Sequence, residues 1–110
     1  NARIRGTELI SSFLEKAELK YKIVTGDFND VPESKTISIL KDESKLIDLF
    51  NHSNNQSATF HNFSEQEFAR IDYIFVSDNI RSKKMKIVKE KPFEIYPSDH
   101  YPIYADLRLN

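Results

Sequence analysis

Three short stretches of the chain carry side chains suited to chemistry. In Gly26-Asp27-Phe28-Asn29-Asp30, polar residues directly follow the β-branched run Tyr21-Lys22-Ile23-Val24-Thr25. They therefore leave the carboxyl end of a predicted buried strand, where open α/β sheets bind ligands. Asp27 and Asn29 are two residues apart, so on extended backbone their side chains point the same way. A carboxylate there orients or deprotonates a water, and an amide N–H bonds a phosphoryl oxygen as its charge rises. The same residue types also make an ordinary turn, which is the plainer reading of this stretch alone.

The second stretch is Arg70-Ile71-Asp72-Tyr73-Ile74-Phe75-Val76, apolar on both faces apart from Asp72, the pattern of an interior strand covered on two sides. An ionised carboxylate in such a place is costly unless paired or hydrogen-bonded. Its partner is either structural, Arg70 or a backbone donor, or part of a site. The third is Ser98-Asp99-His100, just before the last apolar run. Histidine carries protons near neutral pH, and a carboxylate on one ring nitrogen fixes its tautomer. Neighbours on a strand face opposite sides, so Asp99 is badly placed for His100 and Asp72 is the better partner. Asp99 is then free for a hard cation such as Mg²⁺. A strand-entry turn is the plainer alternative here too. A Ser/His/Asp acyl-transfer triad is set aside, since Ser98 lies two residues from His100 and there is no Gly-x-Ser-x-Gly elbow. His61, between Phe60 and Phe63, reads as packing on aromatics, and His52 falls in a polar loop without a specific role.

Positioning these residues requires a sheet with helices against it. Residues 4–20 place Ile10, Phe13, Leu14 and Ala17 at helical spacing, an amphipathic helix. Pro32-Glu33-Ser34 suits the first turn of a second helix reaching about Leu40. Residues 51–57 hold no apolar side chain and read as an exposed loop, whereas residues 46–50 are too short to assign. Strands are expected over residues 70–77, 85–90 and 101–109. In the last, Ile103, Ala105, Leu107 and Leu109 alternate with Tyr104, Asp106 and Arg108, so one face is buried. Arg81, Lys83, Lys84, Lys86, Lys89 and Lys91 form a basic run that reads as a solvated, edge-guarding surface.

The 110 residues and 12.9 kDa suit one small domain, and 39% hydrophobic with 30% charged residues fits a folded chain. A net charge of -1 gives no whole-molecule attraction to polyanions. Zero cysteines exclude a disulfide scaffold, a thiol nucleophile and cysteine-bound metals. No apolar stretch is long enough for stable membrane insertion.

Gly26-Asp27-Phe28-Asn29, Arg70-Ile71-Asp72-Tyr73-Ile74 and Ser98-Asp99-His100, in that order and ending at a final strand, together resemble the endonuclease/exonuclease/phosphatase superfamily of deoxyribonuclease I-like enzymes. Thr59-Phe60-His61-Asn62-Phe63 looks like its bacterial, deadenylase-like members. The resemblance covers essentially all 110 residues. It implies an α/β (α+β) fold: the C-terminal half of a four-layer sandwich, with one mixed, mostly antiparallel sheet and helices on one face. It also implies roles. Asp27 would position or deprotonate the attacking water, Asn29 would contact the scissile phosphate, and Asp72 would orient His100. His100 would bond a phosphoryl oxygen, and Asp99 would lie at a Mg²⁺ ion, with Mn²⁺ as an alternative. The substrate would be a phosphate ester in nucleic acid, a phospholipid headgroup or a sugar phosphate. On this reading residues 1–110 are a truncated portion of the domain, lacking a half that brings a metal-binding Glu, an Asn and a second His. The isolated chain is then expected to be catalytically silent or very weak, because the site is split across both halves. Its uncovered sheet face is expected to form a homodimer or to pair with the missing half. A noncatalytic binding or oligomerisation module on the same fold is the alternative.

Overall fold

A computed structural model describes residues 1–51 and 57–109. The first helix, α1 (Ala2–Ala17), begins where the Asn1 side chain accepts the Arg3 backbone N–H at 2.9 Å, and it ends at Glu18 in the left-handed region. Its inward stripe is Thr7, Ile10 and Leu14, at spacings of three and four. Phe13 was expected on that face but is 66% exposed, and Leu9 is exposed too. It lies about 100° round the helix from Leu14, beyond the narrow stripe that meets the sheet. The second helix, α2 (Lys35–Asp42), starts later than Pro32 suggests, because Ser34 is its N-cap and accepts the Ile37 N–H at 3.2 Å.

Strands β1 (Ile23–Asp27), β2 (Ile47–Asp48) and β3 (Asp72–Val76) form an antiparallel sheet in the order β1-β3-β2. β3, apolar apart from Asp72, is the interior strand, as its sequence implies. Its period of two divides the core. Tyr73 and Phe75 pack with Leu14, Ile37, Leu40 and Leu46 on the helix side. Ile74 and Val76 pack on the other side with Leu49, Phe50, Ile80, Ile87 and Tyr101.

Strands β4 (Ile80–Ile87) and β5 (Ile103–Leu109) form a second antiparallel ladder, with an irregularity between Ser82 and Lys84. The strands are thus split between two antiparallel ladders among the described residues, within the α+β class expected. β4 begins earlier than residue 85 because Ile80 and Ile87, both buried, mark its ends. The alternation in β5 holds through Leu107, with Ile103, Ala105 and Leu107 half-buried and Tyr104, Asp106 and Arg108 exposed, but Leu109, expected on the buried face, is exposed at the strand's end. Within the basic run, Lys86, Lys89 and Lys91 are paired with Glu90, Glu67 and Glu65 at 2.7–2.8 Å, a solvated surface as expected. No helix among the described residues is long and apolar enough to cross a membrane. His52 and most of the polar loop around it lie outside the described residues.

Candidate active site

The register of β1 against β3 sets Asp27 directly opposite Asp72. Two carboxylates thus face each other across a ladder, an arrangement that like-charge repulsion disfavours unless something separates them. Residues 59–62 bring that something. The buried Thr59 hydroxyl accepts the N–H groups of Ile71 and Asp72 at 3.0 and 3.2 Å, which fixes the start of β3. The Thr59 carbonyl accepts the Tyr101 N–H at 2.7 Å, and the Asp99 carbonyl accepts those of His61 and Asn62. One loop therefore fastens both the Asp72 strand and the Asp99-His100 turn. Ser98 tightens that turn by accepting the His100 N–H at 3.1 Å. The ring of Phe60 lies 5.1 Å from that of His100.

These constraints place the His100 imidazole between the acids. Its Nδ1 lies 2.8 Å from Asp72 Oδ2, and as an ionised carboxylate only accepts, Nδ1–H is the donor. Nε2 lies 3.8 Å from Asp27 Oδ2 and 3.9 Å from Asp99 Oδ1. Asp27, Asp72 and His100 offer donor atoms all within 4.8 Å of one another. Partial burial favours the neutral ring, but the hydrogen bond and charge of Asp72 outweigh it, helped by Asp27 and Asp99. The imidazole pKa is therefore raised above its ordinary 6.5.

Asn29 does not lie on the extended backbone that was expected. It has φ 53, so the chain turns at the end of β1 instead of running on extended, and Asp27 Oδ1 accepts the Asn29 N–H at 2.8 Å. The Asp27–Asn29 stretch is thus the turn that its composition suggests, and Asp27 is the residue of it that meets His100. Asp27 keeps Oδ2 toward the histidine, and Asn29 is exposed beside it. Arg3 bonds the Asn29 carbonyl, tying α1 to this turn.

Arg70 is not the partner of Asp72. It makes a two-point ion pair with the buried Asp48 at 3.1 and 2.6 Å, its guanidinium 4.9 Å from the Tyr73 ring centre. This pair is structural, and it leaves the Asp72 carboxylate to His100. His61 is buried between Tyr96 and Tyr101 at 4.4 and 4.3 Å, the packing role expected. Thr59, which positions Asp72, does not stand out as a site residue in the sequence. A threonine shortly before an acid-bearing strand was the available signal, too common by itself to mark a site.

Among the described residues, the donors close enough to share one cation are those of Asp27, Asp72 and His100, and the expected metal residue Asp99 falls outside that group. Asp27 and Asp99 are exposed or partly exposed carboxylates, neither ion-paired to a lysine or arginine among the described residues, and both approach one imidazole nitrogen. Hard cations take such oxygens and fill the remaining positions with water or other groups.

The family model for the Endonuclease/Exonuclease/phosphatase family matches residues 13–100. The chain belongs to this family. Among solved structures it is similar to a mannosyl-6-phosphatase of Bacteroides thetaiotaomicron VPI-5482, with 25% identity and a TM-score of 0.84 over 98% of this chain and 46% of that one. It is likewise similar to an endonuclease/exonuclease/phosphatase from Bacteroides vulgatus, with 31% identity and a TM-score of 0.83 over 99% and 44%. A conserved protein of unknown function from Enterococcus faecalis V583 matches at 25% identity, with a TM-score of 0.86 over 99% and 45%. The chain thus spans less than half the length of these structures. No curated protein matches it.

Proposed function

We propose that this chain supplies part of the active site of a divalent-metal-dependent hydrolase of phosphate esters, and that it is the C-terminal portion of that catalytic domain. The observation carrying this reading is the Asp72–His100 contact of 2.8 Å, with the opposite imidazole nitrogen facing Asp27 and Asp99. Asp72 holds the ring so that Nε2 points into the site, and its charge favours the protonated form. Nε2–H then bonds a phosphoryl oxygen as negative charge builds there. Asp27 Oδ2 orients the attacking water and takes its proton. The exposed Asn29 amide contacts another phosphoryl oxygen. Asp99, with Asp27 nearby, would hold Mg²⁺ or Mn²⁺, which supplies neutralisation of charge on the phosphate. Membership of a family that includes phosphoesterases supports the reaction class. The substrate is a phosphate ester, and nucleic acid, phospholipid headgroup and sugar phosphate all remain within that class. The mannosyl-6-phosphatase similarity brings sugar phosphates forward.

The 110 residues alone are expected to be silent, because the relatives are more than twice as long. Pairing with the rest of the domain, or of two copies in its absence, is favoured by the face where Ile23 is 49% exposed and Ile103, Ala105 and Leu107 are only half-buried. The test is hydrolysis of an activated phosphate ester with Mg²⁺ or Mn²⁺. Turnover by the purified 110-residue chain that His100→Ala abolishes would refute silence. A full-length protein without turnover under any divalent ion would favour the noncatalytic module.

A further inference from the structure

The turn that carries Asp27 is held from outside the site, and one of its holds comes from the first turn of α1. Asn29 is gripped at both ends of its backbone: its N–H donates to Asp27 Oδ1 at 2.8 Å, and its carbonyl accepts from Arg3 Nη1. With φ 53 it lies in the left-handed region, less favourable for a residue with a side chain and kept where surrounding bonds hold it. The same guanidinium reaches one residue further, with Nε 3.9 Å from Asp30 Oδ2. A planar fork can face two groups at once in this way.

The neighbours of Asn29 have holds of their own. Phe28 is fixed by its N–H, 2.9 Å from the Ile71 carbonyl, and by edge-on contacts of its ring with Tyr73 and Phe75 at 5.8 and 5.7 Å. The Asp30 carbonyl accepts the Tyr73 hydroxyl at 2.7 Å. The helix α1 is likewise placed by its Asn1 cap and by Leu14 in the core. What the Arg3 bond adds is the orientation of Asn29 between two fixed residues. That orientation sets a carboxylate. With Oδ1 engaged by the Asn29 N–H, Asp27 keeps Oδ2 toward His100 Nε2 at 3.8 Å. Without that donor the carboxylate turns on a broad terminal torsion, and a group that must aim a water loses its aim.

We propose that Arg3 is a positioning residue: it holds the Asn29 backbone, which in turn holds the Asp27 carboxylate in its working orientation. The assignment rests on the phosphoesterase reading and adds a residue to it. The test is Arg3→Met in the full-length protein, which keeps an unbranched stem and removes the donors. With p-nitrophenyl phosphate and Mn²⁺, kcat is expected to fall about tenfold while KM stays within about twofold, because the lost contact acts on the attacking water and not on the bound ester. In metal-free protein, the ¹⁵N order parameter of the Asn29 amide is expected to fall from about 0.85 to below about 0.6, with that of Phe28 unchanged. A kcat within twofold of the parent, or a loss that falls on KM alone, would overturn the proposal. So would an unchanged Asn29 order parameter, or one that falls together with that of Phe28, the mark of a tie that only stiffens the turn. Should His100→Ala hydrolyse the ester as well as the parent, the phosphoesterase reading falls. The order parameters then decide the Arg3 link by themselves: a fall confined to Asn29 supports it, and unchanged values overturn it.

Discussion

An imidazole held 2.8 Å from one carboxylate and less than 4 Å from two more has its proton affinity set by its neighbours. In metal-free protein, NMR titration is expected to show His100 above its ordinary 6.5, with Asp72→Asn bringing it down. A raised folded-state value stabilises the fold most below the unfolded pKa, and that contribution is lost as pH rises through the folded one. Unchanged titration in Asp72→Asn would remove Asp72 as the orienting group. Asp30 has the opposite sign. The Thr36 hydroxyl lowers its pKa despite some burial, with help from the Val31 N–H and Arg3, so its contribution is present above about 3.8 and fades in acid. Asp30→Asn should lower the denaturation midpoint at pH 7, with the gap from the parent closing below about pH 4.

The elements explain which of these residues the sequence made legible. Asp72 stands out because a charged residue interrupts a strand apolar on both faces, and β3 is indeed the interior strand. The preference of His100 for Asp72 over adjacent Asp99 followed from the alternation of side chains along a strand. Spacing failed at Asn29, where a local side-chain-to-backbone bond bent the chain within two residues. It also failed for Arg70. Its partner Asp48 lies 22 residues away on β2, a strand of two residues with almost no pattern of its own. Two stability predictions belong at this scale. Asp48→Ala strands a buried guanidinium and should cost about 3–5 kcal/mol by denaturant titration. Thr59→Val leaves two N–H groups at the start of β3 short of an acceptor and should cost about 1–3 kcal/mol. Near-zero losses would mean that water or neighbouring groups replace these bonds.

For the whole molecule, the relevant feature is the face of β1 beside β5. Ile23 and Thr25 lie exposed opposite the buried Val76 and Ile74, next to the half-buried Ile103. Light scattering on the 110-residue chain should show self-association that Ile23→Lys weakens, whereas a monomer at high concentration would remove the self-pairing proposal. The fold class was legible because strand and helix periods are local, and the order of the three acid-bearing motifs added the family.

The central claim is that the Asp72–His100 pair works on a phosphate ester, and hydrolysis by the full-length protein tests it most directly. With Mg²⁺ or Mn²⁺ present, His100→Ala and Asp72→Asn should each lower kcat by about 10²–10⁴-fold while the fold persists. Turnover within twofold of the parent in both variants would contradict it.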